Sequence, residues 1–401
     1  MKKRVGIILL TAALVFFTAC QQKQSENEKV FRVIPLEDGK SLEIIRYTGD
    51  TQSVNIPSRL HGMSVTKIRS GVFVNKELIA VKIPSTITEI GNRAFAGNML
   101  TSVTIPNSVT VIGDGAFEKN LLIDVKIGSK VTTIGEGAFA ENLITKVSLP
   151  NSVTSIGDRA FHKNKITSVT LSNGLTTIGE EVFWENQIVR VVIPNSVTTI
   201  GNWAFQDNQL AAITIPASVT EIGAGAFFSN QLTDVTIPST VTSIGFMSFT
   251  DNPLNSFSMA PNNPNYTSKG LFLLSKDETQ LIGYFGNVEE LTIPNGITAI
   301  GERAVSRNQI TSISIPDSVI TIGTGAFRGN RLATVVIPES VRRIEANAFS
   351  ENQLSNITIG ENVELNNAFD FFFSDYYSSS WFYNRAAGTY LRQGSNWIRQ
   401  Q

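Results

Sequence analysis

The chain has 401 residues, of which 42% are apolar and 17% charged, and its formal net charge is -1. That composition excludes a disordered polyelectrolyte, and it lacks the basic excess that a nucleic-acid-binding surface requires. One cysteine and two histidines in the whole sequence leave no disulfide framework, zinc cluster or redox pair to build on.

The N-terminus reads as a leader. Residues 1–4, MKKR, are basic, and the apolar run VGIILLTAALVFF (5–17) is too short to span a bilayer comfortably. The leader ends in FTAC, which resembles the lipobox of bacterial lipoproteins with Cys20, the sole cysteine, as the first mature residue. By that resemblance residues 1–19 are a signal peptide and Cys20 carries a diacylglyceryl group and an N-acyl chain. Each buried methylene would add about 0.8 kcal/mol to membrane attachment. Residues 20–29, continuing as QQKQSENEK, form a polar lipidated tether. The membrane is then touched through the lipid anchor only.

Residues 30–53 alternate apolar and polar in FRVIPL and SLEIIRY around EDGK, the pattern of capping strands in a hairpin. One phrase then recurs through 54–259. The residue before proline marks it at Ile83, Ile105, Ile127, Leu149, Leu171, Ile193, Ile215 and Ile237, each step 22 residues. The phrase is N-x-L-T-x-V-x-I-P-x-S-V-T-x-I-G-x-x-A-F-x-x. In LTSVTI (100–105), Val103 and Ile105 alternate with Ser102 and Thr104, which predicts a half-buried strand. Pro106 ends the strand, having no N–H for the ladder. Gly113 permits a sharp turn, and DGAFEKN supplies the return. Phe117 and its counterparts are expected to stack as a core spine, broken at Val305. Asn120 and its ten counterparts are expected to bond backbone of their own and adjacent turns, since a ligand site does not need eleven copies.

The register lapses at 260–290, where PNNPN and LFLLSKDETQLIGYF predict a β-hairpin insertion with a polar turn at 276–279. The phrase resumes over 291–360. Residues 361–401 are rich in aromatics, FDFFFSDYYSSSWFY followed by Tyr390 and Trp397. They read as a cap for the last turn, with an adhesive aromatic patch as the alternative. A period near 22 predicts a repeat solenoid, α/β to mainly β. The expected form is a right-handed leucine-rich-repeat horseshoe of about twelve turns, with short strands on the concave face and 3₁₀ or short-helix returns.

The phrase IPxSVTxIGxxAFxxNxLTxV resembles the Treponema-type repeats of BspA-like bacterial surface proteins, over roughly residues 30–360. The opening GKSLEIIRYTGDTQSVNIPSRLHGMSVTKI, the interruption NPNYTSKGLFLLSKDETQLIGY and the tail AAGTYLRQGSNWIRQ are similar to segments of that family as well. The resemblance implies a lipid-anchored envelope protein, surface-exposed on the outer membrane, that adheres to host matrix proteins or to other bacteria. A periplasm-facing structural or self-associating lipoprotein is the competing expectation.

No constellation points to catalysis, and neither a cofactor nor a small-molecule substrate is expected. His61 and His162 occupy irregular or variable slots and are expected at the surface. The fragments GDG, GEG, GAG and GTG never continue into a phosphate loop. What remains is surface. On the concave strands one outward column is small and flat, while its neighbour carries Asp124, Lys146, Arg190, Asp234 and Glu290. Those charges either set specificity for a protein partner or keep the face soluble. On the return side Trp184, Trp203, Phe228 and Phe246, with Met247, fill variable slots of successive units. They either form an apolar binding patch or tuck against neighbouring turns.

Overall fold

The computed structural model describes residues 29–360, 363–365, 388–393 and 396–400. The chain divides into two compact units, Met1–Leu175 and Thr176–Gln401. Each is a β-solenoid, and among the described residues they hold about 14 turns of roughly 22 residues. The count slightly exceeds the twelve expected. The returns are hydrogen-bonded turns rather than 3₁₀ or short helices.

Most regular turns contribute two strands to two parallel ladders; the turns at 190–192 and 212–214 form only the shorter one. The longer, Ser102–Thr104, pairs with Asp124–Lys126. The shorter, Val111–Ile112, pairs with Glu89–Ile90 on one side and Thr133–Ile134 on the other. This second ladder follows from the V-T-x-I part of the phrase, whose two-residue strands show no alternation. Between the two lies a turn closed by Val109 N–H to Pro106 O at 3.1 Å. The segment Pro-x-Ser-Val therefore reverses the chain without needing a donor at the proline.

Glycine is fixed where adjacent turns come closest. A Cβ at Gly135 would lie 2.5 Å from Asp114 N and 2.6 Å from Gly113 C, so any side chain would force the turns apart. Two residues on, the backbone is left-handed in every turn, as at Arg93 (φ 55°), Gly137 (57°) and Trp203 (56°). That requirement explains the second glycine of GDG and GEG.

The phenylalanine of each turn is fully buried and stacks on the next. Phe73, Phe95, Phe117, Phe139 and Phe161 form one run with centroid spacings of 4.9, 5.1, 5.4 and 5.4 Å. In the second unit Phe183, Phe205, Phe227 and Phe249 are spaced 5.4, 5.7 and 5.3 Å. Phe285 of the insertion continues the run beside Phe249 at 5.7 Å, and Val305 is buried in its slot. The asparagines sew these turns together. Asn230 Oδ1 accepts from Leu210 N–H at 3.0 Å. Its Nδ2 donates to Phe205 O at 2.9 Å and Phe227 O at 3.2 Å. One amide thus satisfies backbone groups of two turns.

The ends are closed by antiparallel strands. Phe31–Pro35 pairs with Ser41–Tyr47, which begins the parallel ladder by pairing with Met63–Ile68. At the far end Gly388–Gln393 lies antiparallel to Asn356–Ile359 and to Asn396–Arg399, and Tyr390 is 1% exposed. The insertion is a three-stranded meander, Tyr266–Lys269, Phe272–Ser275 and Gln280–Tyr284. Its last strand joins the parallel ladder through Ala299–Ile300.

Candidate functional site

The outer face of the longer ladder is the first candidate. Residues at both outward columns are exposed from Ser102 and Thr104 through Thr334 and Val336, while the intervening Val or Ile is mostly buried. Only at Asn356 and Thr358 is the face half-covered, by the capping strand that brings Thr389 to Thr358 at 3.0 Å between hydroxyls. The face is therefore a pleated ribbon of short polar side chains with charges at intervals.

Within the first unit the ladder is interrupted. Asp124–Lys126 pairs with Ser102–Thr104, and Lys146–Ser148 pairs with Ser168–Thr170. Between those pairs lies an open depression of about 490 Å³ lined by Asp124, Lys126, Lys146, Ser148 and Thr170, with Val125 and Val147 at its floor. Asp124 and Lys146 thus share one depression. In the second unit Asp234 accepts from Ser256 Oγ at 2.5 Å and Thr233 Oγ1 at 2.8 Å. The Ser256 bond, then the Thr233 bond, hold its carboxyl below the ordinary value. Arg190 and Glu290 are exposed on the ladder face of the same unit.

The aromatic residues of the return side lie in the second unit and are unequal. Trp203 meets Phe228 at 6.4 Å and Phe246 at 6.2 Å, both edge-on. Phe228 and Met247 are buried at 8% and 7%, whereas Trp203 and Phe246 are half-buried. Trp184 donates from Nε1 to Asp207 Oδ2 at 2.9 Å. Trp203 reaches its partners because the indole lies across Gly225, where a Cβ would overlap its ring. The repeated phrase does not signal this placement, because each residue fills a slot that varies between turns.

Elsewhere the chemistry is sparse. Cys20, the leader and the aromatic run 369–383 lie outside the described residues, as do the side-chain surroundings of Trp397. His61 is exposed in a tight turn, but His162 is 8% exposed, buried in a slot expected at the surface. Among the described residues no group of three His, Cys, Asp or Glu could hold a metal ion, and no helix is long and apolar enough to cross a membrane.

The repeated turn, its glycine, phenylalanine and asparagine stacks and its two ladders agree with one family. The sequence matches the BspA type Leucine rich repeat region (6 copies) over residues 66–190, 176–279 and 283–379. The chain belongs to the BspA-type leucine-rich-repeat family. No curated protein sequence matches it. Among solved structures it is similar to a leucine-rich repeat protein from Bacteroides ovatus, at 22% identity and a TM-score of 0.58 over 85% of this chain and 90% of that one. It is also similar to a leucine rich cell surface protein from Faecalibacterium prausnitzii, at 26% identity and a TM-score of 0.50 over 88% and 95%. A BspA-type solenoid offers surfaces for protein–protein interaction. Its ladder face and return side are the two such surfaces on which this chain departs from uniform repetition.

Proposed function

We propose that this BspA-type chain is a lipid-anchored bacterial envelope protein that binds proteins through the outer face of its longer strand ladder, adhering to host matrix proteins or to other cells. The observation that carries the reading is the depression holding Asp124 and Lys146. Charges of both signs around an apolar floor suit a protein partner. Arg190, Asp234 and Glu290 extend the charged column in the second unit. The cell-surface description of the F. prausnitzii protein supports an outward orientation. Cys20 after an apolar leader supports a lipid anchor at the outer membrane.

Three measurements test this. Cys20→Ala should move the protein from the membrane to the soluble fraction; continued membrane partitioning refutes the anchor. Protease treatment of intact cells should cleave the chain, whereas survival argues for a periplasm-facing structural protein. Capture of serum and matrix proteins should fall sharply on combining Asp124→Lys with Lys146→Glu. Capture that is unaffected sinks the ladder-face reading.

A further inference from the structure

The insertion does more than protrude. Register fixes its last strand within the solenoid, Leu281 opposite Ile300 and Glu290 opposite Ser312. Twelve residues carry the chain from Ile300 to Ser312, but only nine from Leu281 to Glu290. The return of this turn is therefore three residues short. Its ladder strands are complete, and the shortage falls wholly on the return side.

Two consequences are visible. The asparagine ladder loses a rung. Asn308 is 5% exposed, yet its Nδ2 donates only to Ser306 O at 3.1 Å. Among the described residues its Oδ1 accepts no hydrogen bond, and it borders a cavity of about 200 Å³ left beside the short return. Arg303 also reaches across the short return, its guanidinium carbon 4.6 Å from the Phe246 ring centroid. Across this seam runs a second cavity of about 180 Å³.

The second cavity has two kinds of wall. Trp203, Phe228 and Met247 supply an apolar floor from the turns before the insertion, and Arg303, Arg307 and Arg328 supply guanidinium groups from those after it. No acidic residue lines it. Arg328 is paired with Glu351 at 2.5 Å. Among the described residues Arg303 and Arg307 form no ion pair within 4.0 Å, and Arg307 is exposed. Glu351 feels the charge of all three arginines, but the cleft wall itself carries charge of one sign beside an apolar floor, which an anionic ligand with an apolar group would match.

We propose that this cleft binds an acidic peptide segment of a protein partner, seating one apolar side chain on Trp203, Phe228 and Met247 and a neighbouring carboxylate against Arg303 and Arg307. A peptide is favoured over a sulfated polysaccharide because the floor is aromatic and thioether, which a sugar sulfate does not use. A chain of net charge -1 also offers no extended basic track. The site rests on the protein-binding reading above but not on the ladder face.

The test uses the full-length protein in detergent and a fluorescein-labelled peptide of sequence Asp-Glu-Phe-Asp-Glu, followed by anisotropy. Binding should weaken about tenfold or more with Arg307→Glu or Arg303→Met. It should weaken by a similar factor when the peptide's Phe is replaced by Ala, and it should be unchanged in Lys76→Glu, an exposed residue of the first unit. Arg307 is exposed, so its variant reports on binding without disturbing the core. Absence of binding, or equal binding to wild type and Arg307→Glu, overturns the proposal. So does a heparin oligosaccharide that displaces the peptide while the Phe-to-Ala peptide binds as well as the original, which makes the site a polyanion site. If peptide binding fails while capture of matrix proteins still depends on Asp124 and Lys146, only the cleft is refuted. If both fail, the protein-binding reading falls with it.

Discussion

The guanidinium carbon of Arg303 lies 4.6 Å from the centroid of the Phe246 ring, although a complete ladder strand, Gln280–Tyr284, separates their turns. The contact joins the last regular turn before the insertion to the first one after it. It is a cation–π pair at a half-buried site, worth about 0.5–1 kcal/mol. Phe246→Leu keeps the apolar contact and removes the ring face. It should cost about that much in urea unfolding, and a double-mutant cycle with Arg303→Met should recover the same coupling. A coupling of zero would mean that the two groups are adjacent without attracting one another.

Asn230 is the clearest test of the asparagine stack, because it bonds Leu210 N–H, Phe205 O and Phe227 O. Asn230→Ala should destabilise the second unit by about 1–3 kcal/mol, because the Leu210 N–H loses its partner while Phe205 O and Phe227 O keep the amides of Asn208 and Asn252. Asn230→Asp sharpens the expectation. A carboxylate cannot donate to the two carbonyls, so burial favours its protonated form and raises its folded pKa. The variant should therefore be most stable in acid and lose stability as pH rises towards neutrality, the reverse of an ordinary surface carboxylate. Thermal melts across pH check the sign.

Two glycines separate backbone conformation from crowding. Gly137 has φ 57°, and a Cβ there would meet only Ala140 Cβ at 3.9 Å. Gly137→Ala should cost only the left-handed penalty, about 1 kcal/mol. At Gly157 φ is not positive, but a Cβ would lie 2.7 Å from both Glu136 Cα and Gly135 C. Gly157→Ala should cost several times more, since neighbouring turns must part. Equal melting temperatures for the two variants would contradict this account of the repeated Ile-Gly.

Much of this architecture was legible because the phrase repeats its physical instructions. Phe117, Gly113 and Asn120 recur, and each does in the structure what a stacked turn demands of it. The second ladder was missed because its strands, such as Val111–Ile112, are two residues long and show no alternation to read. The burial of His162 was not legible because its slot varies, holding Glu118, Ala140 and Trp184 in neighbouring turns, although it points inward in most of them. The cleft beside the insertion could not be read at all. Trp203 and Arg303 are a hundred residues apart and line one cavity beside a return three residues short, visible only once Leu281 is matched to Ile300.

In the N-terminal hairpin, Asp38 accepts from Ser41 Oγ at 2.6 Å and from the N–H groups of Lys40 and Ser41 at 2.8 and 2.9 Å. The Ser41 hydroxyl is the largest cause of a carboxyl pKa below the ordinary value, followed by the two N–H groups. A lowered carboxylate pKa stabilises the fold above the unfolded value, and that contribution disappears as pH falls through the folded one. Ser41→Ala should move the Asp38 titration, followed by carboxyl carbon NMR, upward towards the ordinary range. The hairpin should then begin to loosen at a higher pH on acidification. A titration that does not move would assign the shift to the turn's N–H groups alone.

The last turn of the solenoid tests whether a cap is obligatory. Ile357 and Tyr390 are paired residues of adjacent antiparallel strands, each 1% exposed, and both belong to the core that holds Phe327 and Phe349. Removing Tyr390 leaves that core with a hole at its end, and Phe-to-Ala changes of this kind cost about 3–5 kcal/mol. Tyr390→Ala should therefore lower the melting temperature while the strand pairing still covers the edge. A chain ending at residue 387 goes further, because Asn356–Ile359 then presents unpaired N–H and C=O groups beside exposed Ile357 and Ile359. That edge should recruit other copies. Light scattering after size-exclusion chromatography should find the truncated chain associated and Tyr390→Ala monodisperse. If truncation leaves the chain monodisperse and its melt unchanged, the two final strands are not the cap, and Tyr390 owes its burial to packing alone.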